Sequence, residues 1–425
     1  MADRALPSLS TAAVIAVGSE LLTPFRTDTN SLAITSRLDA AGIRLRWKAV
    51  TGDRIEDITQ AIRDGAARAD LVVISGGLGP TADDLTREAI AAFAGAGMRE
   101  DPTFVAALEA RFAARGMPMP TINRRQALVP EGARALANPL GSAPGLLLER
   151  ADVTIAALPG PPRELIPMLD ALVASTLAPR SAGTPLVRRV LKVSGRAESA
   201  VDEIAAPIYL TGERSDPPVE TTILAKPGLV ELHLSCRTAD EAAGARAVEA
   251  MAARLDAALA PACFSCDGLN LEETVGALLG ERTLWMAAAE SCTGGLIAAR
   301  MTDVAGSSAY FRGGIVAYDN AVKTSALGVP GALLHAHGAV SEPVARAMAD
   351  GARARLGADV AVAVTGIAGP GGGSDSKPVG TVVIAATGLG RGRVRTFRFI
   401  GDRALVREQS VQAALDAVRR LILDL

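Results

Sequence analysis

Two apolar periodicities alternate along the first 180 residues of the chain. Short apolar runs, typical of buried strands, include AAVIAV (residues 12–17), LRWKAVTG, DLVVISGG and TIAALPG. Between them, NSLAITSRLDAAGI and IEDITQAIRDGAARA carry the spacing of helices that pack on a sheet, and PRELIPMLDALVAST follows. This alternation predicts an α/β domain with a parallel sheet covered by helices on both faces.

A different pattern begins after LAPRSAGTP, a stretch rich in proline, glycine and serine. Residues 186–262 contain two strand-like runs, LVRRVLKVSG and VELHLSCR, and two helical ones, which predicts a small α+β module. A second break, APACFSCDGLN, precedes the helical run LEETVGALLGER. Asn270 with Glu273 three residues later predicts a capping box at the start of that helix.

The last segment returns to alternating strands and helices, from TLWMAAA to an amphipathic helix ending at Leu425. We therefore expect two separate three-layer α/β domains joined by the small module. The predicted boundaries are 1–175, 186–262 and 263–425.

Composition narrows the functional class. The chain has 425 residues, a net charge of −2 and four cysteines, so a disulfide scaffold and a general electrostatic attraction to nucleic acid or to membranes are both disfavoured. The beginning, MADRALPSLS, lacks the basic-then-apolar pattern of a signal peptide, and no apolar run approaches the roughly 20 residues of a membrane span. We expect a cytoplasmic protein that does not contact membranes.

A serine at the end of an apolar run offers the first candidate chemistry. Ser291 stands in AESCTGG, followed by Thr293, Gly294 and Gly295 and then by a helical pattern. Amides at the start of such a helix lack intrahelical partners and could bind an anion or stabilise an oxyanion. The alternative is that Ser291 and Thr293 only cap the helix.

A lysine is the natural base for this serine, because the three histidines of the chain form no clear Ser-His-Asp arrangement. Only five of the 44 basic residues are lysines. One of them, Lys323, follows the predicted strand GGIVAYDN, and neighbouring parallel strands could bring Lys323 and Tyr318 beside Ser291. A solvated surface lysine is the alternative.

A glycine-rich segment, TGIAGPGGGSDSKPVGT, follows another predicted strand. It matches neither GxGxxG nor the P-loop pattern, so it is either a flexible loop or a loop over a nucleotide. Arg403 in GDR opens the last helix and could meet a phosphate.

Linked blocks in this region resemble the nicotinamide mononucleotide amidohydrolase domain of the CinA family, over about residues 270–425. The blocks are AESCTGGLIAARMTDVAGSSAYFRGGIVAYDNAVK, HGAVSEPVARAMADGA, VTGIAGPGGGSDSKPVGTV and GDRALVR. The resemblance implies Ser291 as the nucleophile, with Tyr318 and Lys323 beside it. Asp319, Ala321 and Val322 depart from the YSNEAK-like stretch usual in the family.

The implied reaction is hydrolysis of the pyridine carboxamide to a carboxylate with release of ammonia, without a cofactor. Ser291 would attack, Lys323 would accept its proton, and Tyr318 would orient or relay it. The resemblance and the position of the motifs nominate the substrate-binding residues Thr293, Gly294, Gly295, Asn320, Thr365, Gly366, Gly369 and Arg403.

The N-terminal blocks AVGSELLTPFRTDTNS, SGGLGPTADDLT, NPLGSAPG and LPGPPRELIPM resemble the other half of CinA proteins, which shares its fold with molybdopterin-binding proteins. In GGLGPTADD a strand end, a glycine turn and a helix start would suit phosphate. The predicted phosphate-binding residues are Gly76, Gly77, Gly79 and Thr81.

The same resemblance implies metal-dependent hydrolysis of the pyrophosphate of ADP-ribose. Asp83 and Glu20 are the predicted ligands of a divalent cation, with magnesium favoured by their oxygen atoms. Asp84 lies three residues after Thr81 and is predicted to complete a capping box.

For three further features, a structural interpretation is favoured over a functional one. Cys263 and Cys266 form a CxxC, but the chain has no second such pair and zinc would need ligands from elsewhere. Cys292 is predicted to pack, and it is a minor rival nucleophile. The middle module resembles the KH-like insert of CinA proteins, yet it carries 9 basic and 11 acidic residues and no GxxG clamp, so nucleic acid is disfavoured and we expect a spacer or an element of a homodimer.

Two hypotheses of different classes follow. The first is a hydrolase of pyridine nucleotides, with nicotinamide mononucleotide and ADP-ribose as substrates. The second is a non-catalytic nucleotide- or pterin-binding scaffold protein linked to competence or DNA damage.

Overall fold

The computed structural model of the protein describes residues 6, 8–184 and 186–425. Its contacts divide the chain into two compact units, one extending to Val187 with Arg237–Glu241, and one formed by Arg188–Cys236 and Ala242–Leu425. Among the described residues, no helix combines the length and the apolar composition needed to cross a bilayer.

The N-terminal unit is built on one mixed six-stranded sheet. Its elements are β1 Thr11–Val17, α1 Asn30–Ala40, β2 Arg44–Thr51, α2 Ile55–Ala66, β3 Leu71–Ser75, α3 Thr86–Ala94, β4 Met98–Glu100, α4 Pro102–Ala113, β5 Leu128–Pro130, β6 Ala133–Leu136, β7 Gly145–Glu149, β8 Thr154–Leu158 and α5 Pro162–Leu172. Strands lie in the order β2-β1-β3-β8-β7-β6, and β4 pairs separately with β5.

The prediction of a parallel sheet is correct for four of these strands and wrong for two. The strands β2, β1, β3 and β8 are parallel neighbours, whereas β7 and β6 are antiparallel. Both of the latter strands are short, and no crossover helix separates β6 from β7 or β7 from β8. A hairpin connection leaves antiparallel pairing as the geometry available to them.

Alternation along β1 explains the three layers of this unit. Ala13 and Ile15 face the apolar cluster that contains α2 and α3, and Ala12 and Val14 face the cluster that contains α1 and α5. Both faces of the strand are therefore buried, as a helix-covered sheet requires.

The remaining chain forms two further groups of elements, one built on a four-stranded sheet and one built on a five-stranded sheet. The first contains β9 Leu186–Ser194, α6 Glu198–Gly212, β10 Glu220–Lys226, β11 Leu229–Arg237, α7 Glu241–Leu259 and β12 Cys263–Ser265. The second contains α8 Leu271–Glu281, β13 Met286–Glu290, α9 Leu296–Asp303, β14 Phe311–Val316, α10 Asn320–Leu327, α11 Gly331–His337, α12 Glu342–Leu356, β15 Val360–Gly366, β16 Thr381–Gly388, β17 Arg391–Arg398 and α13 Arg403–Leu423.

Strand order in the second sheet is β14-β13-β15-β16-β17, with β14, β13 and β15 parallel and the other two antiparallel. Small residues on one face, such as Ala287 and Ala361, lie in the cluster with α12, while Val360 and Val362 pack with α13 on the other. The capping box at Asn270 and Glu273 is present at the start of α8, as predicted.

Candidate active site

The serine turn lies where the chain reverses direction across the sheet. β13 lies between β14 and β15: α9 leads from it to β14 on one side, and β15 pairs with it on the other. In α/β sheets, ligands bind in the crevice beyond the carboxyl ends of strands at such a switch point. Ser291 follows β13 directly, and its amide donates to the carbonyl of Val364 in β15.

Ser291 and Lys323 meet at this point. Lys323 Nζ lies 3.2 Å from Ser291 Oγ, and the two residues are 1% and 8% exposed. The parallel pairing of β13 with β14 brings them together, because Lys323 lies in α10 just after β14. A solvated lysine is therefore excluded, and the geometry supplies the pair that the sequence suggested.

The amine of Lys323 is held by backbone rather than by a carboxylate. Its other two neighbours are the carbonyl oxygens of Ala317 and Tyr318, at 3.0 and 3.1 Å. As an ammonium, Lys323 donates to all three oxygens. Once a proton is lost, the two carbonyls account for the two remaining N–H groups, and the lone pair then faces the hydroxyl of Ser291. The arrangement suits an amine that accepts a proton from serine.

Burial favours that neutral form. Desolvation lowers the pKa of Lys323 from its ordinary value near 10.5, although Asp319 and Cys292 act in the opposite direction. A lysine with a lowered pKa is a usable base at a pH where an exposed lysine is protonated.

The helix amides predicted to bind an anion are largely occupied by the protein itself. The buried carboxylate of Glu290 accepts hydrogen bonds from the amides of Gly295, Ile297 and Ala298, at 2.9, 3.1 and 2.9 Å. The positive end of α9 thus holds an internal anion, which is stabilising for the helix. The prediction that amides at this helix start bind an anion from a ligand is therefore wrong for these three amides.

Two amides of the turn remain. The amide of Gly294 donates to the carbonyl of Ser291, at 3.1 Å. Within the described part of the chain, the amides of Cys292 and Thr293 donate to no backbone carbonyl, although the amide of Cys292 also faces its own thiol. These two groups, which directly follow Ser291, are the available donors for an oxyanion.

We expect Glu290→Gln to destabilise the protein. The amide side chain keeps one acceptor oxygen but turns an NH₂ toward backbone N–H groups, leaving at least one buried donor unsatisfied. The expected loss is about 1–3 kcal/mol in the free energy of unfolding, measured by urea denaturation. Exposed Glu281→Gln is the matched control and should lie within about 0.5 kcal/mol of the unsubstituted protein; equal stability of both variants would contradict the capping role.

Tyr318 is placed differently from the predicted proton relay. Its side chain is 60% exposed, and its hydroxyl accepts a hydrogen bond from Arg403 Nη2, at 2.9 Å. Its contact with Lys323 is made by its backbone carbonyl. In this structure the phenol belongs to the rim of the site with Arg403.

Arg403 links that rim to the glycine-rich segment. Its Nη1 donates to the carbonyl of Gly369, at 2.8 Å, and it is the first residue of α13. The helix start is capped by Asp402, whose side chain accepts from the amide of Leu405. Arg403 is exposed, so its guanidinium can reach a bound anion while keeping these contacts.

The other nominated ligand-binding positions divide into exposed and internal ones. Asn320 is exposed at the start of α10. Thr365 is buried and donates from its hydroxyl to the carbonyl of Ala339, at 2.9 Å, and Gly366 ends β15 opposite Val382. Thr365 and Gly366 thus have internal contacts, whereas Asn320 is free to reach a ligand.

Arg407 was missed by the sequence reasoning. It lies one helical turn beyond Arg403, and its Nη2 donates to the carbonyl of Thr293, at 2.8 Å. Arg407 Nε and Thr293 Oγ1 are both buried without a hydrogen-bond partner among the described residues. The four-residue spacing of Arg403 and Arg407 in the sequence could have indicated this role, because it places both arginines on one face of α13.

Cys292 is part of the core. It is 5% exposed and packs in the cluster with α8, α9 and α13, and burial raises the pKa of its thiol to about 11. A thiol that stays protonated near neutral pH is a poor nucleophile. The prediction that Cys292 packs agrees with this position.

The departures from the YSNEAK-like stretch do not touch the lysine contacts. Asp319 caps α10 by accepting a hydrogen bond from the amide of Ala321, at 2.7 Å. Val322 packs against the cluster that contains α12. Lys323 is held by main-chain carbonyls, so these substitutions leave its immediate contacts intact.

A second candidate site lies in the N-terminal unit, at the carboxyl ends of β1, β3 and β8. It is a cavity of about 390 Å³, lined by Gly76, Gly77 and Gly79 and by the carboxylates of Glu20, Asp53, Asp83, Asp84 and Glu164. β1 has β2 on one side and β3 on the other, so this too is a switch point.

Two glycines of this cavity have no room for a side chain. At Gly76 the φ angle is 104° and a Cβ would lie 2.3 Å from the carbonyl oxygen of Val17. At Gly77 the φ angle is 67° and a Cβ would lie 2.2 Å from Thr86 Oγ1. Backbone therefore forms this wall of the cavity, as a phosphate-binding loop needs.

The predicted capping box at Thr81 and Asp84 is wrong, because α3 begins only at Thr86. The amide and the hydroxyl of Thr81 both donate to the carboxylate of Asp84, which closes a turn instead. Both hydrogen-bond donors of Thr81 are therefore occupied by Asp84. The amide of Thr86 donates to the carbonyl of Gly77, so a phosphate here would meet loop amides rather than a helix end.

A buried arginine holds this loop, and the sequence reasoning did not identify it. Arg87 is 1% exposed and donates to the carbonyls of Leu78 and Gly79, at 2.6 and 2.7 Å. Arg125 donates to the carbonyl of Thr81, at 2.6 Å. Because both contacts are to backbone, the loop shape is fixed independently of the side chains that face the cavity.

The oxygen atoms of this cavity are of the type that a hard divalent cation prefers, although no three of its carboxylates lie within 4.8 Å of one another among the described residues. Asp53 accepts from the amide of Ser19, Asp84 from Thr81, and Glu164 from Asn138. Glu20 and Asp83 are exposed and lie in the same cavity. Magnesium is commonly bound by one or two carboxylates together with substrate phosphates, and these two side chains suit that mode.

Fold and sites together define a protein of two α/β domains, each with a candidate site at the switch point of its own sheet. The family model "Probable molybdopterin binding domain" matches residues 13–179, and the model "CinA C-terminal domain" matches residues 269–422. The chain belongs to the CinA family.

Two full-length relatives show this membership, and a solved structure resembles one part of the chain. A CinA-like protein of Koribacter versatilis is 45% identical over 417 residues, which are 97% of this chain and 100% of the relative. A protein of Symbiobacterium thermophilum, named as competence-damage inducible, is 45% identical over 97% of this chain and 99% of its own. The crystal structure of a competence/damage inducible protein from Agrobacterium tumefaciens, 42% identical, covers 36% of this chain and 92% of that one, with a TM-score of 0.34.

Proposed function

We propose that the C-terminal domain is an amidohydrolase that converts nicotinamide mononucleotide to nicotinate mononucleotide and ammonia. The observation that carries the proposal is the buried contact of 3.2 Å between Ser291 Oγ and Lys323 Nζ at the switch point of the sheet. The test is ammonia release from nicotinamide mononucleotide by the full chain, with the nucleotide product identified by chromatography.

In the first step, Ser291 Oγ attacks the carboxamide carbon while its proton moves to neutral Lys323. The oxygen of the tetrahedral intermediate receives hydrogen bonds from the amides of Cys292 and Thr293, which donate to no backbone carbonyl among the described residues. Lys323 then gives its proton to the departing nitrogen, so ammonia leaves and an ester of Ser291 remains.

In the second step, water attacks the ester carbonyl with Lys323 again as the base. Collapse of the intermediate breaks the bond to Ser291 Oγ, which recovers its proton from Lys323. One water is consumed, and one carboxylate and one ammonium ion are produced at neutral pH. Every proton transfer uses the same amine, so no cofactor is required.

Recognition of the nucleotide is assigned to the arginines of α13. Arg403 and Arg407 lie four residues apart, next to the glycine-rich segment and to the serine turn respectively. A guanidinium binds phosphate through paired hydrogen bonds, which suits the 5′-phosphate of the substrate. Tyr318, at the rim with Arg403, has a ring that can lie against the pyridine or the ribose.

We also propose that the N-terminal domain hydrolyses the pyrophosphate of ADP-ribose with a divalent cation. The cavity of about 390 Å³ combines a backbone wall at Gly76 and Gly77 with two exposed carboxylates. Glu20 and Asp83 would hold the cation, which would neutralise phosphate charge when bound. The amides of the glycine loop would position the phosphates.

For this second activity, we expect Asp83→Ala in the full chain to lower the metal-dependent hydrolysis of ADP-ribose by roughly 10²-fold or more. Product is measured as AMP, with and without magnesium. The control is Asp57→Ala, an exposed carboxylate on α2 outside the cavity lining, which should leave the rate unchanged. Turnover that survives excess chelator, or Asp83→Ala at the normal rate, would contradict the metal role.

Absence of any turnover on ADP-ribose would favour the non-catalytic alternative for this domain, in which it binds a nucleotide or a pterin. The name of the Symbiobacterium relative refers to competence and damage and says nothing of an activity. We place the protein in the cytoplasm, in keeping with its four free cysteines.

A further inference from the structure

We propose that Asp256, Cys263 and Cys266 form a zinc site in the small module. One candidate ligand atom from each residue, a carboxylate oxygen and two thiol sulfurs, lies within 4.8 Å of the other two. No third ligand for the CxxC is evident from the sequence alone, and in the fold Asp256 of α7 provides one.

Local structure explains why the three side chains converge. Asp256 lies in the last turn of α7, and the chain then turns back at once into β12. β12 pairs with β9, with Cys263 opposite Val193 and a register shift before Ser265. A bulge of this kind re-aims side chains, and Cys266 follows it directly.

The donor set selects zinc over other common cations. Two thiolates and a carboxylate are ligands that zinc accepts, whereas magnesium and calcium require oxygen alone. At Zn–S bonds of about 2.3 Å and Zn–O bonds near 2.1 Å, tetrahedral ligands lie about 3.5–3.8 Å apart. The group therefore needs to contract by at most about an ångström, which side-chain rotation can provide.

The charge environment also calls for a cation. Within the described ranges neither Asp256 nor the neighbouring Asp267 forms an ion pair. Asp267 instead accepts hydrogen bonds from Ser265 Oγ and the amide of Leu269, at 2.8 and 3.2 Å. Arg189, the nearby cation of β9, is paired with Glu249. A bound divalent ion would offset two of the three negative charges that two thiolates and a carboxylate carry.

Three protein ligands leave one position of a tetrahedral zinc site open. Cys263 is buried, while Cys266 and Asp256 are partly exposed. The fourth position then belongs to a water molecule from the exposed side. Bound zinc would tie the end of α7 to β12, so we assign it a stabilising role in the module, separate from the Ser291 site.

The test measures zinc in the tag-free full chain, purified with a reductant that does not bind metal. We expect one zinc per chain by elemental analysis, and cobalt in its place should give a thiolate-to-metal charge-transfer band. Cys266→Ser and Cys263→Ser should lose both signals, and Asp256→Asn should bind zinc about tenfold more weakly or worse. Cys236→Ser, a buried cysteine outside the cluster, is the matched control and should keep both signals.

Stability provides a readout that does not depend on the cysteine variants folding. Added zinc should raise the Tm of the unsubstituted protein after metal removal, and should raise that of Asp256→Asn less. Substoichiometric zinc in the unsubstituted protein after reduction would overturn the proposal. So would zinc that is retained when both Cys263 and Cys266 are replaced, or an equal Tm shift in Asp256→Asn.

Discussion

Ser291→Ala is expected to lower the deamidation of nicotinamide mononucleotide by at least about 10³-fold, because it removes the atom that forms the acyl intermediate. The Oγ atom sits 3.2 Å from the buried amine of Lys323, and its loss leaves that amine with no hydroxyl to activate. Ammonia release by the full chain measures the effect. ADP-ribose hydrolysis, assigned to the other domain, should be unchanged in the same preparation.

Cys292→Ala is the matched control for the nucleophile. Its thiol has a pKa raised to about 11 and is part of the core, so the variant should keep most of the deamidase rate and lose only some stability. Normal turnover by Ser291→Ala, or loss of turnover by a folded Cys292→Ala, would reverse the assignment of the two residues.

Lys323→Arg is expected to lower the rate of the chemical step by about 10²–10⁴-fold, the range typical of a lost general base. Arginine keeps the positive charge but does not release its proton in the accessible pH range. Binding of the nucleotide, measured by calorimetry, should persist. Lys323→Met, of similar length and without charge, is the second variant if the arginine variant fails to fold, and it should be equally slow.

The base role of Lys323 also predicts the direction in which the deamidation rate changes with pH. Only the neutral amine can accept a proton, so the rate of the unsubstituted protein should rise with pH through the pKa of Lys323. Burial lowers that pKa, so the rise should be centred below 10.5. A rate that does not depend on pH anywhere in the range where the protein stays folded, or Lys323→Arg with an unchanged kcat, would reduce Lys323 to an electrostatic role.

The pairing of Ser291 with Lys323 could be predicted because it follows from strand order. Both residues come just after predicted strands, and strands that are parallel neighbours end at the same edge of a sheet. Lysine is also rare in this chain, which drew attention to position 323. The sequence thus contained the elements of the site and one correct hypothesis for their contact.

Contacts that depend on the direction of a side chain could not be predicted from the sequence. Glu290 could equally have faced solvent, and nothing in its neighbours shows that it folds back onto the amides of α9. The contact of Asp256 with the CxxC requires the register of β12 against β9. In the sequence, Arg87 looks like an ordinary helix residue, because its contact with the carbonyl of Leu78 depends on how the glycine loop folds.

Weak strands were missed for a similar reason. β10, ETTILAK, is mostly exposed, and its pattern carries little of the apolar signal on which strand prediction relies. β6 and β7 are short and lie beyond a long irregular stretch, so their antiparallel pairing is decided by the hairpin between them. The parallel core, in contrast, has strongly apolar strands with helices at regular intervals.

The measurement that tests the central claim most directly is the product balance of the full chain with nicotinamide mononucleotide. We predict that ammonia and nicotinate mononucleotide appear in equal amounts, and that the riboside without the phosphate reacts far more slowly. No ammonia from the folded protein, or release of free nicotinamide in its place, would contradict an amidohydrolase built on Ser291 and Lys323.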